Sequence, residues 1–146
     1  MTALRGRDLL SLPVRLHGIE LGRAVELLLD VDELKALGLD VLCGDEVHRF
    51  LPLPTARVGD RELLIGSPLV LLEEDELAFY RSRAVTLGSL RGRVVEQDAR
   101  RRGVLTDVRV RADGVLTDVY VADGGVERPL RLDGTIRIAP KRRSAA

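Results

Sequence analysis

The same succession of short, two-faced segments occurs twice along the chain, and that repetition restricts the fold more than any single motif does. Leu4-Arg5-Gly6-Arg7 recurs as Leu90-Arg91-Gly92-Arg93, with Gly6 and Gly92 separated by 86 residues. After the first copy a glycine opens Gly22-Arg23-Ala24-Val25-Glu26-Leu27, and after the second another opens Gly103-Val104-Leu105-Thr106-Asp107-Val108. Each is followed by an apolar segment (Leu39 to Cys43; Leu116 to Val121) and a turn containing glycine and aspartate. A proline-bearing segment comes next (Phe50-Leu51-Pro52-Leu53; Arg128-Pro129-Leu130), then a last short apolar one (Arg61 to Ile65; Thr135 to Ile138).

The second copy shows why these segments read as strands. Asp107, Arg109 and Arg111 alternate with Val108, Val110 and Ala112, the period-two pattern of a strand with one charged and one apolar face. Asp113-Gly114 supplies a hairpin dipeptide tolerant of positive φ. Gly-Val-Leu-Thr-Asp-Val, first met at Gly103, then returns at Gly114, as two antiparallel strands of one meander would have it. A one-residue slip would turn every valine outward, so the register is strongly specified.

In the first copy, Gly22 to Leu29 reads as a strand and Asp32 to Leu37 as at most one helical turn, with Gly38 as its C-cap. Pro52 and Pro54 withhold ladder donors and place their segment at a strand end or sheet edge, while Pro68 ends one strand and starts a short apolar one. Between the copies, Glu73-Glu74-Asp75-Glu76 leads and Arg81 and Arg83 follow, the charge order that a helix dipole favours. The expected organisation is a first module over 1–72, a helical linker over 73–86, a second module over 87–140 and a solvated basic tail over 141–146.

Aromatic residues make up only 3% of the chain and Trp is absent, so the core of these modules must be aliphatic. A chain of 146 residues buries enough surface to fold without a disulfide or a metal. Lys and Arg together number 23, as do Asp and Glu, so no global field draws nucleic acid or anionic lipid. Cys43 is the single cysteine, which excludes an intrachain disulfide and suits a reducing compartment. Asp8 and Arg15 interrupt any apolar leader, and runs such as Leu69 to Leu72 are too short to cross a bilayer. A cytoplasmic protein without membrane insertion is expected.

The repeated pattern resembles the PRC-barrel family, small β-barrels found in the photosynthetic reaction centre H subunit and in the C-terminal part of the ribosome-maturation factor RimM. The likeness is carried in the second module by Leu90-Arg91-Gly92-Arg93-Val94-Val95 and Gly103-Val104-Leu105-Thr106-Asp107-Val108. In the first it is carried by Leu4-Arg5-Gly6-Arg7-Asp8-Leu9 and Gly22-Arg23-Ala24-Val25-Glu26-Leu27, with Glu26 where the pattern places Asp. It implies an all-β fold of two tandem PRC-like barrels joined by a short helical linker. It also implies an adaptor or docking role, and it transfers no catalytic residues, metal or cofactor.

Candidate chemistry is sparse. His17 and His48 are the only histidines, and with Cys43 they lack the spacings of a metal site; His17-Gly18 reads as a turn, His48 as a strand position and Cys43 as a small buried apolar residue. Asp107 and Asp118 recur in matching hexapeptides, which reads as two outward carboxylates pairing with Arg109 or Arg111 across the ladder. Gly6, Gly22, Gly92, Gly103 and Gly114 read as turn and strand-opening residues that fit no phosphate-binding pattern; Gly103 and Gly114 open strands rather than helices, so they offer a phosphate no helix N-terminus. Arg100-Arg101-Arg102 and Lys141-Arg142-Arg143 are the basic clusters, and Phe79 and Tyr80 adjoin in the linker, where one is expected to pack between the modules or to anchor a partner. The expected function is a non-enzymatic adaptor binding an unidentified protein or a second copy of itself as a homodimer. A RimM-like, RNA- or ribosome-associated factor is the second reading, disfavoured by the lack of stacking aromatics beside the arginines.

Overall fold

In the computed structural model, which describes residues 3–140, segments of alternating apolar and polar residues become strands throughout. β1 (Ala3–Arg5) leads into a one-turn helix, α1 (Gly6–Leu9). Then come β2 (Pro13–Leu16), β3 (Ile19–Asp30), β4 (Lys35–Cys43), β5 (His48–Pro52), β6 (Arg57–Val58) and β7 (Leu63–Leu64). The helix α2 (Glu74–Arg83) separates these from β8 (Val85–Thr86), a second one-turn helix α3 (Leu87–Leu90), β9 (Val94–Gln97) and β10 (Arg100–Arg111). β11 (Leu116–Asp123), β12 (Val126–Arg131) and β13 (Ile136–Ile138) complete a mainly β molecule. Its two sheets run β5-β4-β3-β2-β7-β6, with β8 beside β3, and β12-β11-β10-β9-β13, with β1 beside β10.

The two additions are reciprocal. Arg5 of β1 faces Arg109 of β10, and Thr86 of β8 faces Leu28 of β3, so each half lends its opening strand to the longest strand of the other. Arg5 and Thr86 are 81 residues apart, as are Leu28 and Arg109, and the same spacing relates β2 to β9 and β3 to β10. Positive φ follows it too: Ser11 (79°) matches Gly92 (86°), and His17 (49°) matches Asp98 (51°). Gly22 and Gly103 obey the same spacing inside the long strands rather than at their starts. A Cβ at either would lie within 2.5 Å of a carbonyl oxygen on the facing strand, Leu42 or Ala122, which explains the glycine at both.

The structure departs from several of these expectations. The halves correspond at 81 residues, not at the 86 of the repeated tetrapeptide: Gly6 begins a helical turn, whereas Gly92 sits in the turn after one. The segment from Asp32 to Leu37 forms no helical turn; the chain reverses through a turn in which Asp30 Oδ1 accepts from the N–H groups of Asp32 and Glu33, and β4 starts at Lys35. Pro68–Val70 is a 3-10 turn capped by Ser67 rather than a strand. Gly114 does occupy the β10–β11 turn, with φ of 92°. The basic tail from Lys141 lies outside the described residues.

One aliphatic cluster fills the space between the sheets. Leu27, Leu29, Leu39 and Val41 from the first half share it with Leu105, Val108, Val119 and Val121 from the second, together with Leu9 and Leu90 from the two one-turn helices. Full burial of one such side chain stabilises by roughly 1.5–3 kcal/mol. A second, smaller cluster of Leu28, Phe50 and Leu77 seats α2 on the outer face of the first sheet.

Candidate functional site

Two matching rows cross the sheets. In the first, Glu26, Asp40 and Phe50 are ladder neighbours on β3, β4 and β5; in the second, Asp107, Tyr120 and Pro129 are neighbours on β10, β11 and β12. Both rows begin with a carboxylate at a register shift, and each carboxylate reaches into the other half. Glu26 Oε1 accepts from the N–H groups of Leu27 (2.9 Å) and Gly88 (3.4 Å). Asp107 Oδ1 accepts from those of Val108 (2.8 Å) and Arg7 (3.2 Å). The chemistry differs beyond that point, and so does what covers each face.

On the first row, Asp40 is fully buried and is the one charged residue between Ala36 and Cys43 of β4. Its carboxylate pairs with Arg81 of α2 and lies 2.8 Å from His48 Nδ1, which makes the Nδ1–H tautomer the donor. Tyr80 stacks on Phe50 at 4.3 Å between ring centroids, closing α2 over the sheet. A buried charge needs such partners, because an unpaired one costs several kcal/mol. Asp40 therefore fixes where the helix lies. The His48 side chain is 47% exposed.

Among the described residues no helix covers the second row. Arg5 fills the place instead: its Nε donates to Asp107 Oδ2 at 2.9 Å, its Nη1 lies 2.9 Å from Glu127 Oε1, and its guanidinium sits 3.8 Å above the Tyr120 ring. Arg109 donates to the Tyr120 hydroxyl (2.7 Å) and approaches Asp118 at 3.7 Å. The Glu127 carboxyl is held below the usual carboxylate range by Arg5 first and then by the Thr106 hydroxyl. Asp107 thus departs from its expected role. It is buried against Arg5 of the opposite half, not displayed outward to Arg109 or Arg111, whereas Asp118 does face Arg109 across the ladder.

Two grooves complete the surface. The first joins two adjoining depressions that share Glu20, Leu21, Cys43 and Gly44 at one end of the first sheet. Val25, Leu42 and Leu69 line it with 40%, 38% and 84% of their surface exposed. Its rim carries paired charges, Arg23 with Glu20 and Arg49 with Asp45. The second lies between α3, β9 and the start of β10, where Arg91, Arg93 and Arg101 stand beside Gly88, Ser89, Val94, Val104 and Pro140.

The residues singled out in the sequence are dispersed. Tyr80 packs on the first sheet rather than between the modules, and Phe79 stays half exposed with the Arg83 guanidinium 3.7 Å above its ring. Arg100 and Arg101 begin β10 as exposed strand residues, and Arg102 bonds to Gln97. His17 occupies a turn, Cys43 is buried, and among the described residues no three His, Cys, Asp or Glu side chains gather to hold a metal. No helix among the described residues is long and apolar enough to cross a membrane. Of Arg5, Asp40 and Leu69, which also build these sites, Asp40 alone has a signal in the sequence, a lone aspartate inside Leu39-Asp40-Val41-Leu42 that points to a buried pair. No family model and no curated protein matches the chain.

Proposed function

We propose that this chain is a non-enzymatic adaptor of two tandem PRC-like barrel modules that binds another protein through the apolar groove of its first half. The groove carries the reading. Val25 and Leu42 are exposed on neighbouring strands, yet the positions matching them in the second half hold Thr106 and Ala122. The fold accepts polar or small residues there, so apolar ones signal a contact that excludes water. An apolar centre ringed by charge pairs has the anatomy of a protein interface.

The test is capture from native lysate using the intact chain and a Leu42→Glu/Leu69→Glu variant, each with and without nuclease. Proteins retained after nuclease and lost with the variant are expected. Capture that disappears with nuclease and ignores the variant would refute the reading. It would favour a cytoplasmic RimM-like role on RNA, for which the arginines at 91, 93 and 100–102 are the supporting observation.

A further inference from the structure

The second groove holds arginines that the fold does not demand. Arg91, Arg93 and Arg101 line it, and no acidic residue does. At the spacing of 81 residues that relates the halves, the matching positions in the first half are Leu10, Leu12 and Glu20. One backbone arrangement therefore accommodates two leucines and a glutamate as readily as three cations. Structural need does not account for the difference.

Two of the arginines, Arg91 and Arg93, are also held ready. Arg91 Nε donates to the carbonyl of Thr106 at 3.1 Å, and Arg93 Nε to that of Ser89 at 2.9 Å. Each side chain is tethered at Nε, which leaves its terminal nitrogens to meet a ligand. Among the described residues, no carboxylate lies within ion-pair distance of Arg91, Arg93 or Arg101, whereas Arg5, Arg15, Arg49, Arg81 and Arg111 all have one. A guanidinium with a fixed Nε matches a carboxylate through its remaining N–H groups, and little rotamer freedom is left to lose on binding.

We propose that this groove takes an acidic segment of a protein partner, with carboxylates on Arg91, Arg93 and Arg101 and apolar side chains against Val94, Val104 and Pro140. The inference rests on the protein-binding reading but concerns a different surface, so either can fail alone. A nucleic acid fits less well. No aromatic residue lines the groove for a base to stack on. Its borders also carry carboxylates: Glu96 is the ladder partner of Arg101, and Glu26 lies beside Gly88. A continuous phosphate backbone leaving the groove would meet these charges, whereas a short peptide with a few carboxylates would not reach them.

The experiment is a fluorescence-anisotropy titration of the full chain with a fluorescein-labelled peptide that alternates Asp-Glu pairs with leucines. Its controls are the Asn-Gln counterpart and a labelled single-stranded RNA of about the same length. Arg91→Leu/Arg93→Leu/Arg101→Glu installs the residues of the first half, and Arg91→Gln/Arg101→Gln guards against a folding defect in that variant. The acidic peptide should bind, the amide peptide should bind at least tenfold more weakly, and both variants should lose at least tenfold in affinity while melting as the parent does. Equal binding of the two peptides would overturn the proposal, as would RNA binding tighter than the acidic peptide and being lost in the same variants. Absence of peptide binding to the parent chain at low ionic strength would overturn it as well.

Discussion

Removing the Asp107 carboxylate should cost far more stability than removing the Glu26 carboxylate, although the two make the same backbone contacts at matching positions. Asp107→Ala leaves the N–H groups of Arg7 and Val108 without their acceptor and strips the Arg5 guanidinium of one of its two carboxylates. Only 1% of the Asp107 side chain and 17% of the Arg5 side chain is exposed, so water cannot replace the lost pair. Breaking a buried pair from one side costs about 3–5 kcal/mol. Glu127 stays bonded to Arg5, which sets the expectation near the lower end. Glu26→Ala removes contacts to Leu27 and to the exposed Gly88, with no cation involved, and should cost about 1 kcal/mol. Urea unfolding reads both: with an m-value of about 2 kcal/mol/M, Asp107→Ala should lower the midpoint by about 1.5 M and Glu26→Ala by about 0.5 M. A double-mutant cycle with Arg5→Ala isolates the pair, and a coupling of at least about 1.5 kcal/mol is expected between residues in such contact. Equal losses from the two carboxylates, or additivity of the Arg5 and Asp107 substitutions, would refute the idea that Arg5 anchors the first strand through Asp107.

Val108→Asp should destabilise by more than about 3 kcal/mol, since Val108 is 1% exposed and would bury an unpaired charge, whereas Arg109→Ser should cost about 1 kcal/mol or less; a reversed order in thermal melts would show the β10 register to be wrong. A fragment of residues 85–146 should give a collapsed amide NMR spectrum alone and a dispersed one after mixing with residues 1–84, because Leu105, Val108 and Val119 share one core with Leu27 and Leu39 and β10 lacks β1; a cooperative melt of the isolated fragment would contradict this. Glu127 has its pKa lowered in the folded state, so its contribution to stability is present above the ordinary carboxylate range near 4.3 and is lost as pH falls through the lowered value; Glu127→Gln should therefore flatten the fall in urea midpoint between about pH 5 and pH 3 and leave its shape above pH 6 unchanged.

The strands of the second half were legible because period-two alternation and Asp113-Gly114 act locally: the residues that specify the hairpin are the residues that form it. The acidic start and basic end of α2 were legible for the same reason. What the sequence could not disclose was long-range. Nothing local says that Arg5 pairs with Asp107, 102 residues away, or that β1 and β8 change places between halves. The repeated tetrapeptide even pointed to the wrong register, since its second copy spans the end of α3 and the turn after it while the first spans β1 and α1. The true correspondence lay in backbone conformation, with Ser11 matching Gly92 and Asp98 matching His17, and those pairs share no letter. Asp32 to Leu37 misled because charged and apolar residues there satisfy a helical spacing and Asp30 accepts from the N–H groups of Asp32 and Glu33 as a helix cap would, whereas the chain reverses there and β4 begins at Lys35.

Differences along the two rows explain why a helix, α2, covers only the first of them among the described residues. Phe50 N–H and C=O point away from β4 and bond Leu72, 2.9 and 2.7 Å away, just before α2 begins. The matching position on β12 is Pro129, which has no N–H to offer, so the same approach is refused there. Leu28, which helps seat α2, is matched by Arg109, and Asp40, which anchors it, by Tyr120. Four substitutions act together: the edge is blocked, the apolar seat becomes a cation, the buried acid becomes an aromatic platform, and Arg5 covers that platform from the other half. Asp107 would be a buried unpaired carboxylate without Arg5, which offsets that penalty, and the position matching Arg5 in the first half, Thr86, needs no charge because Glu26 beside it is only partly buried. The differences between the halves are thus of two kinds. Those along the central rows compensate one another within the fold, and those at the two grooves, Val25 and Leu42 in one half and Arg91, Arg93 and Arg101 in the other, compensate nothing inside the molecule, which is why function is sought there.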